Sequence, residues 1–243
     1  MWTRQNIAEF IKRKYKLSMP LSTLGYYLER WGFSVQRPKR KAYKQNPAQI
    51  DEWLNTTYPS IKVRAGQENA EIYWGDETGI QNTPDYLRGY APIGQTPEVR
   101  VEAQKFKANM LSAISNQGKL RFNIYEKLSP DVLIDFMRRL VNDTKRKVFL
   151  ILDNLRTHHS KKVQAWLERH KNEIEVFYLP PYSPEYNPDE FLNGDLKRDI
   201  GNRMMPHTKE DIKKNIRSYM KSLQLKPHKI ISFFKAPSVV YAL

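Results

Sequence analysis

Three acidic residues stand where carboxylates from different elements can meet. Asp76 and Asp153 each follow an apolar segment that predicts a strand, and Glu190 opens a predicted helix. Carboxylates at the ends of two neighbouring strands and on a nearby helix can converge on one pocket, and oxygen ligands of this kind bind Mg²⁺ or Mn²⁺. Two such ions ~3.5 to 4 Å apart stabilise the attacking and leaving oxygens of phosphoryl transfer. The pattern therefore predicts a catalytic metal site.

Each acid also has a purely structural interpretation. An aspartate after a strand is often a turn former or a helix cap. If Asn187 caps the helix and Pro188 begins it, Glu190 falls at the third helical position, where a glutamate bonds back to the cap. Glu77 is acidic as well, but adjacent strand residues point to opposite faces. We therefore expect only one of Asp76 and Glu77 to serve the site.

The elements that would position these acids follow an α/β order. Short segments rich in β-branched and aromatic residues predict strands at 72–75, 109–114, 120–125, 148–152 and 174–179. Helical spacing at 130–140 and 160–170 flanks the fourth strand. Three strands able to form a meander, followed by alternating helix and strand, are typical of the RNase H-like fold, although other α/β sheets share this order. We predict such a domain over residues 69–243, with a helical extension at its C-terminal end.

The first 45 residues have a different pattern. Thr3 is the expected N-cap of one amphipathic helix, and Ser22 the expected N-cap of a second one that Gly32 ends. Two short helices across a tight turn predict a helix-turn-helix, with a plain helical hairpin as the alternative. Residues 46–68 are interpreted as a linker containing a helix.

Positive charge is concentrated in the same region. The net charge is +15, and residues 1–45 hold eleven Lys and Arg against two Asp and Glu. Such a balance predicts a polyanionic partner, with a solvated basic surface as the alternative. A proline-containing basic arm at 36–41 is expected to lie along DNA. The candidate DNA-binding residues are Lys12, Arg13, Lys14, Ser22, Thr23, Tyr26, Arg37, Lys39, Arg40 and Lys41.

Composition excludes several classes of function. The chain has no cysteine, which removes disulfides, thiolate zinc sites and cysteine nucleophiles. No apolar run approaches the ~20 residues of a membrane helix. The sequence also lacks the GxxxxGK[ST] motif that would indicate a nucleotide cofactor. We expect a cytoplasmic protein.

Three motifs add a family resemblance. WGDETG at 74–79, LDNLRTHHS at 152–160 and LPPYSPEYNPDE at 179–190 occur in this order. Together they resemble the DDE transposases of the mariner-type superfamily, specifically the bacterial insertion sequence 630 branch. The resemblance covers essentially the whole chain, and the N-terminal segment is similar to the second helix-turn-helix of that branch.

The resemblance implies roles for individual residues. Asp76, Asp153 and Glu190 take the places of the family's three metal-binding catalytic acids. Asn154, His158 and Asn187 match positions that accompany them. A surface or capping role stays open for His158.

The resemblance also implies an activity and its partners. A DDE transposase would use two Mg²⁺ or Mn²⁺ ions to cut double-stranded DNA at the terminal inverted repeats of its element. The freed 3′-hydroxyl would attack target DNA at a TA dinucleotide. Such an enzyme is expected to act as a homodimer in its DNA complex, in the nucleoid of a bacterial cytoplasm.

Three features depart from the family pattern. Thirty-six residues separate Asp153 from Glu190, slightly more than usual, and Asp189 is acidic where relatives often carry an aliphatic residue. The helix-turn-helix that family members usually carry upstream is not seen before Met1, so we expect a truncated or frameshifted reading frame. Two alternatives therefore stay open: an inactive remnant that only binds DNA, and another RNase H-like nuclease such as a resolvase or RNA/DNA hybrid nuclease.

Overall fold

The computed structural model describes residues 2–36, 43–82, 92, 95, 105–201 and 206–243. The chain divides into two compact units, Met1–Lys41 and Ala42–Leu243. The four candidate DNA-binding residues of the predicted basic arm lie outside the described residues: Arg37, Lys39, Arg40 and Lys41. Within the described ranges, no helix is long and apolar enough to cross a membrane.

The described part of the smaller unit contains two helices. α1 spans Arg4–Tyr15 and α2 spans Leu21–Arg30. Thr3 caps α1 as predicted, since its hydroxyl accepts the backbone N–H of Asn6 at 3.1 Å. Gly32 follows α2 with a φ of 81°, a left-handed conformation that glycine adopts without strain, which also agrees with the prediction.

The predicted cap of α2 is wrong. Pro20 has a φ of −59° and its carbonyl accepts the N–H of Leu24, so the helix begins one residue before Ser22. Ser22 therefore lies inside the first turn and does not cap it. The predicted apolar stripe of α2 is only partly covered, because Leu24 is fully buried whereas Trp31 is 63% exposed.

One mixed five-stranded sheet, in the order β3-β2-β1-β4-β5, forms the centre of the larger unit. The strands are β1 (Glu71–Gln81), β2 (Lys107–Ile114), β3 (Leu120–Tyr125), β4 (Val148–Leu152) and β5 (Ile174–Tyr178). β1, β2 and β3 form an antiparallel meander, while β4 and β5 continue the sheet in parallel from β1. This is the predicted order.

Helices cover both faces of the sheet. They are α3 (Pro47–Glu52), α4 (Tyr58–Gln67), α5 (Pro130–Thr144), α6 (Lys161–Arg169), α7 (Asp189–Gly201), α8 (Lys209–Gln224) and α9 (Pro227–Ser232). On one face, Leu133 and Val163 bring α5 and α6 against the sheet. On the other face, α4, α7 and α8 pack through a second core that includes Leu196 and Ile216. The sheet is therefore buried on both sides.

β1 is longer than predicted, and the difference places Asp76 inside the strand. The predicted strand ended just before Asp76, whereas β1 continues to Gln81 because β2 pairs with it up to Gln81↔Lys107. β4 pairs with β1 only as far as Trp74↔Ile151. Beyond Trp74, β1 therefore stays paired with β2 but, among the described residues, no longer with β4.

Residues 46–68, which we expected to be a linker, pack into the core of the larger unit. α3 continues through a π-helix, Trp53–Thr57, into α4. Trp53, Tyr58 and Ile61 are each no more than 3% exposed. The segment therefore contributes to the core. Its apolar residues were the sequence signal that could have predicted this.

The C-terminal residues connect this segment to the loop before α7. Trp53 donates its indole N–H to the hydroxyl of Tyr241 at 3.1 Å. Tyr241 in turn donates to the carbonyl of Tyr186 at 2.7 Å, and its ring packs edge-on against Tyr58 with centroids 4.9 Å apart. One hydroxyl thus links three parts of the chain that are distant in sequence.

We predict that Tyr241→Phe lowers the free energy of unfolding by about 1 to 2 kcal/mol, because it leaves the Trp53 N–H and the Tyr186 carbonyl without this partner. Urea unfolding followed by circular dichroism measures the change. The control is Tyr43→Phe, which removes the hydroxyl of a fully exposed tyrosine and should alter stability very little. Equal stability of the two variants would contradict the role of the Tyr241 hydroxyl.

Candidate active site

The strand register brings Asp76 and Asp153 side by side. Each lies two residues beyond the last β1–β4 pair, Trp74↔Ile151. Successive strand residues alternate between faces, so both aspartates lie on the face of Trp74 and Ile151, the one that α7 covers. Adjacent strands are about 4.8 Å apart, which allows the two carboxylates to share one ligand.

α7 supplies the third acid to the same place. Glu190 is in its first turn, and Asn193, three residues later on the same helical face, donates to Asp76 Oδ2 at 2.8 Å. Asn193 was absent from our candidate residues, although its spacing from Glu190 was a usable signal. The hydrogen bond fixes the start of α7 against β1.

Asn187 fastens the preceding loop to β1. Its side-chain oxygen accepts the N–H of Asp189 at 3.1 Å, although α7 begins at Asp189 and not at Pro188 as the capping interpretation required. Its amide nitrogen donates to the carbonyl of Gly75 at 3.0 Å. The capping-box interpretation of Glu190 does not apply, because the backbone N–H of Asn187 donates to Pro184 instead.

Gly75 permits a close approach beside Asp76. A Cβ at this position would lie 2.8 Å from Leu152 Cδ2 and 3.1 Å from the carbonyl oxygen of Ser112. The absence of a side chain therefore lets β1 run closely between β2 and β4 at the residue before the acid.

The three acids line one open cavity of about 640 Å³. Asn154 and Arg156 line it too, and its apolar wall includes Pro180 and Tyr182. Tyr182 has a φ of 59°, unusual for a residue with a side chain, and its carbonyl accepts the Gln45 amide at 3.2 Å. Nothing in the sequence pattern indicated Tyr182. The cavity thus combines three carboxylates and a guanidinium with an apolar rim.

Burial raises the pKa values of all three acids, and nearby carboxylates add to the rise for the two aspartates. Burial, followed by the nearby carboxylates of Glu190 and Asp189, raises the pKa of Asp76 well above its usual range. Burial and the charge of Glu77 raise the pKa of Asp153 to about 6. Burial also raises the pKa of Glu190. A group of acids that resists ionisation in this way would be stabilised by a cation.

Asp189 is placed differently from Glu190. It is fully buried, and its Oδ2 accepts the hydroxyl of Ser112 at 2.6 Å. Burial raises the pKa of Asp189 well above the usual value, although the hydrogen bond from Ser112 opposes the shift. Only Glu190 of this adjacent pair lines the cavity. The geometry therefore favours our choice of Glu190 over Asp189.

The two residues that accompany Asp153 in the motif have different environments. His158 is fully buried, so the surface interpretation is wrong. Its Nε2 lies 2.7 Å from Glu77 Oε1, and its Nδ1 lies 3.0 Å from the backbone oxygen of Asp153. Asn154 is exposed at the cavity, where its side-chain oxygen contacts His159. Glu77 points to the opposite face from Asp76 yet remains close to Asp153.

The described DNA-binding candidates all lie at the surface of the smaller unit. Lys12, Arg13 and Lys14 form the basic last turn of α1, where cations also complement the helix dipole. Ser22, Thr23 and Tyr26 are exposed on the first turns of α2. These positions agree with an accessible basic and polar surface.

Comparison with known proteins agrees with this architecture. The family model described as "DDE superfamily endonuclease" matches residues 71–213, and a winged helix-turn-helix model matches residues 1–57. A relative from Shigella sonnei, "Insertion element IS630 uncharacterized 39 kDa protein", is 26% identical over 251 residues, which cover 91% of this chain and 72% of the relative.

Solved structures of Mos1 mariner transposase share the fold. The paired-end complex with Mn has a TM-score of 0.68 at 17% identity and covers 100% of this chain and 75% of that chain. The strand transfer complex has a TM-score of 0.67 at 18% identity, over 100% and 74% of the two chains. The isolated Mos1 catalytic domain has a TM-score of 0.54 at 16% identity, over 84% and 98%. The predicted RNase H-like fold is thereby confirmed, and because the endonuclease model matches more than half of its residues, this chain belongs to the DDE endonuclease superfamily.

Proposed function

We propose that this DDE transposase cleaves the terminal inverted repeats of an insertion sequence and joins the freed 3′-hydroxyl to target DNA. The observation that carries the proposal is the convergence of Asp76, Asp153 and Glu190 on one cavity from two strands and a helix. In phosphoryl transfer of this kind, the protein mainly holds the DNA backbone in place and positions positive charge beside the reacting phosphate. No covalent link between protein and DNA is required.

Asp76, Asp153 and Glu190 would hold two Mg²⁺ or Mn²⁺ ions. The donor set suits hard cations, because all three ligands are carboxylates and burial raises their pKa values. Among the described residues, Asp153 Oδ1 is buried without a hydrogen-bond partner, and His158 Nδ1 lies 3.4 Å from it. When bound, the ions supply positive charge that stabilises the reacting phosphate.

Residues around the acids would orient the DNA strand. Asn193 holds the Asp76 carboxylate in place, and Asn187 fixes the loop from which α7 begins. Arg156 reaches the cavity from the turn after Asp153 and offers a forked donor to a phosphate. Pro180, Pro181 and Pro184 add apolar surface to the cavity.

The smaller unit would recognise the element ends. Its exposed lysines and arginine would contact phosphates, while Ser22, Thr23 and Tyr26 would face a groove. Three further proposals rest on the task of the family. The protein would form a homodimer that brings two element ends together, it would insert at a TA target, and it would act in the bacterial nucleoid. An inactive remnant and a nuclease without strand transfer remain outcomes of the experiments below.

Replacing the carboxylates separately distinguishes the two neighbouring acids on α7. We predict that Asp153→Asn and Glu190→Gln reduce cleavage by at least about 100-fold while DNA binding is retained, since each removes a metal ligand but keeps its shape. Asp189→Asn, the matched control, should keep most of the activity. The assay is cleavage of labelled inverted-repeat DNA with Mn²⁺. Full activity of Asp153→Asn, or a larger loss in Asp189→Asn than in Glu190→Gln, would overturn the assignment.

DNA binding should depend on the basic end of α1. Neutralising Lys12, Arg13 and Lys14 to Gln should weaken binding and flatten its dependence on salt, because fewer counterions are released. Electrophoretic mobility shift at several salt concentrations measures both effects. Lys171→Gln, which removes an exposed lysine paired with Glu168, serves as the control. An unchanged salt slope in the triple variant would exclude α1 from the interface.

Cation binding should strengthen as the pH rises through about 6. Because the pKa of Asp153 is raised to about 6, its carboxyl is largely protonated below that pH, and a cation must displace the proton. Titration of Mn²⁺ at pH 5.0 and pH 7.5, followed by the electron paramagnetic resonance signal of free Mn²⁺, should show tighter binding at the higher pH. The dependence should be shallower in Asp153→Asn. Equal affinity at both values would show that the carboxyl does not bind the cation.

A further inference from the structure

His158 contacts residues from both faces of the sheet at the candidate active site. Glu77 is on the face of β1 that α5 and α6 cover, opposite to Asp76. His158 lies between this carboxylate and Asp153, with Nε2 2.7 Å from Glu77 Oε1 and Nδ1 3.0 Å from the Asp153 backbone oxygen. Each ring nitrogen therefore lies within hydrogen-bond distance of an oxygen, one on Glu77 and one on the Asp153 backbone.

His158 is itself held firmly. Its carbonyl oxygen accepts from Gln164 on α6 and from the hydroxyl of Tyr178 on β5, each at 3.3 Å. Its backbone N–H donates to the carbonyl of Leu155, which closes the 3-10 turn Arg156–His159. With the side chain only 1% exposed, the ring has little freedom to move. The His158 ring is therefore a rigid group in contact with Asp153.

The Asp153 carboxylate accepts the backbone N–H of Leu155, and the imidazole of His158 lies beside it. Asp153 follows the last residue of β4, its side chain is 40% exposed, and Oδ1 lies 3.4 Å from His158 Nδ1. Among the described residues, Oδ1 accepts no hydrogen bond. Without the imidazole, the backbone oxygen of Asp153 would lose its contact with Nδ1, and the carboxylate would lose the neighbouring ring.

We propose that Glu77 and His158 are positioning residues, which set the orientation of Asp153 toward a divalent cation. The inference rests on the proposed function, because Asp153 must be a metal ligand for its orientation to matter. Glu77 fixes the imidazole through its contact with Nε2, and His158 transmits that constraint to the Asp153 peptide and carboxylate. Outer contacts of this kind typically change metal affinity or activity by 10- to 100-fold.

A rival arrangement uses the same three residues as direct ligands. Glu77, Asp153 and His158 each offer a ligand atom, and these atoms lie within 4.8 Å of one another. The proposal differs from this arrangement in one observable respect, since it leaves no imidazole nitrogen in contact with the cation. Pulsed electron paramagnetic resonance of the Mn²⁺-loaded chain detects such a nitrogen.

The test is Mn²⁺ binding to the full chain, measured by titration of the free-ion signal. Glu77→Ala should weaken binding by about 10-fold or more. Glu77→Gln keeps the shape and an acceptor for Nε2 but loses the charge, so a smaller, several-fold loss is expected. If Glu77→Ala does not fold, Glu77→Gln alone tests the proposal. An unchanged Mn²⁺ affinity of Glu77→Gln would then overturn it.

Glu71→Gln is the matched control. Glu71 is a buried carboxylate on the same strand and face, paired with Lys119 at 2.6 Å, about 20 Å away from Glu77 by strand rise. Breaking that pair affects stability but should leave Mn²⁺ affinity unchanged. An equal loss in both variants would mean a general folding effect and would overturn the proposal, as would a nitrogen signal that disappears in His158→Gln.

A second readout separates this inference from the proposed function. Excess Mn²⁺ should restore DNA cleavage by Glu77→Ala, since its defect is in affinity, whereas Asp153→Asn should stay inactive. If no variant and not even the wild type cuts DNA, the proposed function fails, while the Mn²⁺ titration still tests the role of Glu77. If cleavage occurs but excess Mn²⁺ does not rescue Glu77→Ala, the positioning role is refuted.

Discussion

The carboxylates of Asp76, Asp153 and Glu190 repel one another, and the fold holds them close together despite this repulsion. The β1–β4 register places the two aspartates next to each other just past the last paired residues. α7 then brings the glutamate over the same face. Burial raises the pKa values of all three acids, and nearby carboxylates raise those of the two aspartates further. A divalent cation would stabilise the ionised carboxylates, and this connects the fold with phosphoryl transfer.

The surrounding structure resists that repulsion through short, specific contacts. Asn187 and Asn193 connect the start of α7 to β1, and the glycine before Asp76 allows the strands to approach closely. On the other face, Glu77 and His158 support Asp153 from behind. The hydroxyl of Tyr241 extends the support from the C-terminal residues to the loop before α7. Both faces of the sheet and the last residues of the chain therefore contribute to one site, which favours a rigid arrangement over one assembled on binding.

The sequence predicted the elements with strong local signals. The strands at 120–125 and 148–152 appear at the predicted bounds, because an alternating segment and an apolar segment between turns need no information from elsewhere in the chain. The end of β1 could not be predicted in this way, since residues 76–81 are mostly polar and are strand only because β2 pairs with them. The contact of Trp53 with Tyr241 joins residues 188 positions apart and leaves no local pattern. The triad came from motif order and family resemblance, whereas Asn193 and the role of Glu77 needed the three-dimensional arrangement.

The most direct test of the central claim is to locate the cation itself. Crystals grown with Mn²⁺ and inverted-repeat DNA, and measured at the manganese absorption edge, would show anomalous density at the bound ions. The account predicts peaks in contact with the carboxylates of Asp76, Asp153 and Glu190, and none in contact with Asp189. Density bound elsewhere, or none near Asp153 at saturating Mn²⁺, would contradict the claim that these three acids form the metal site.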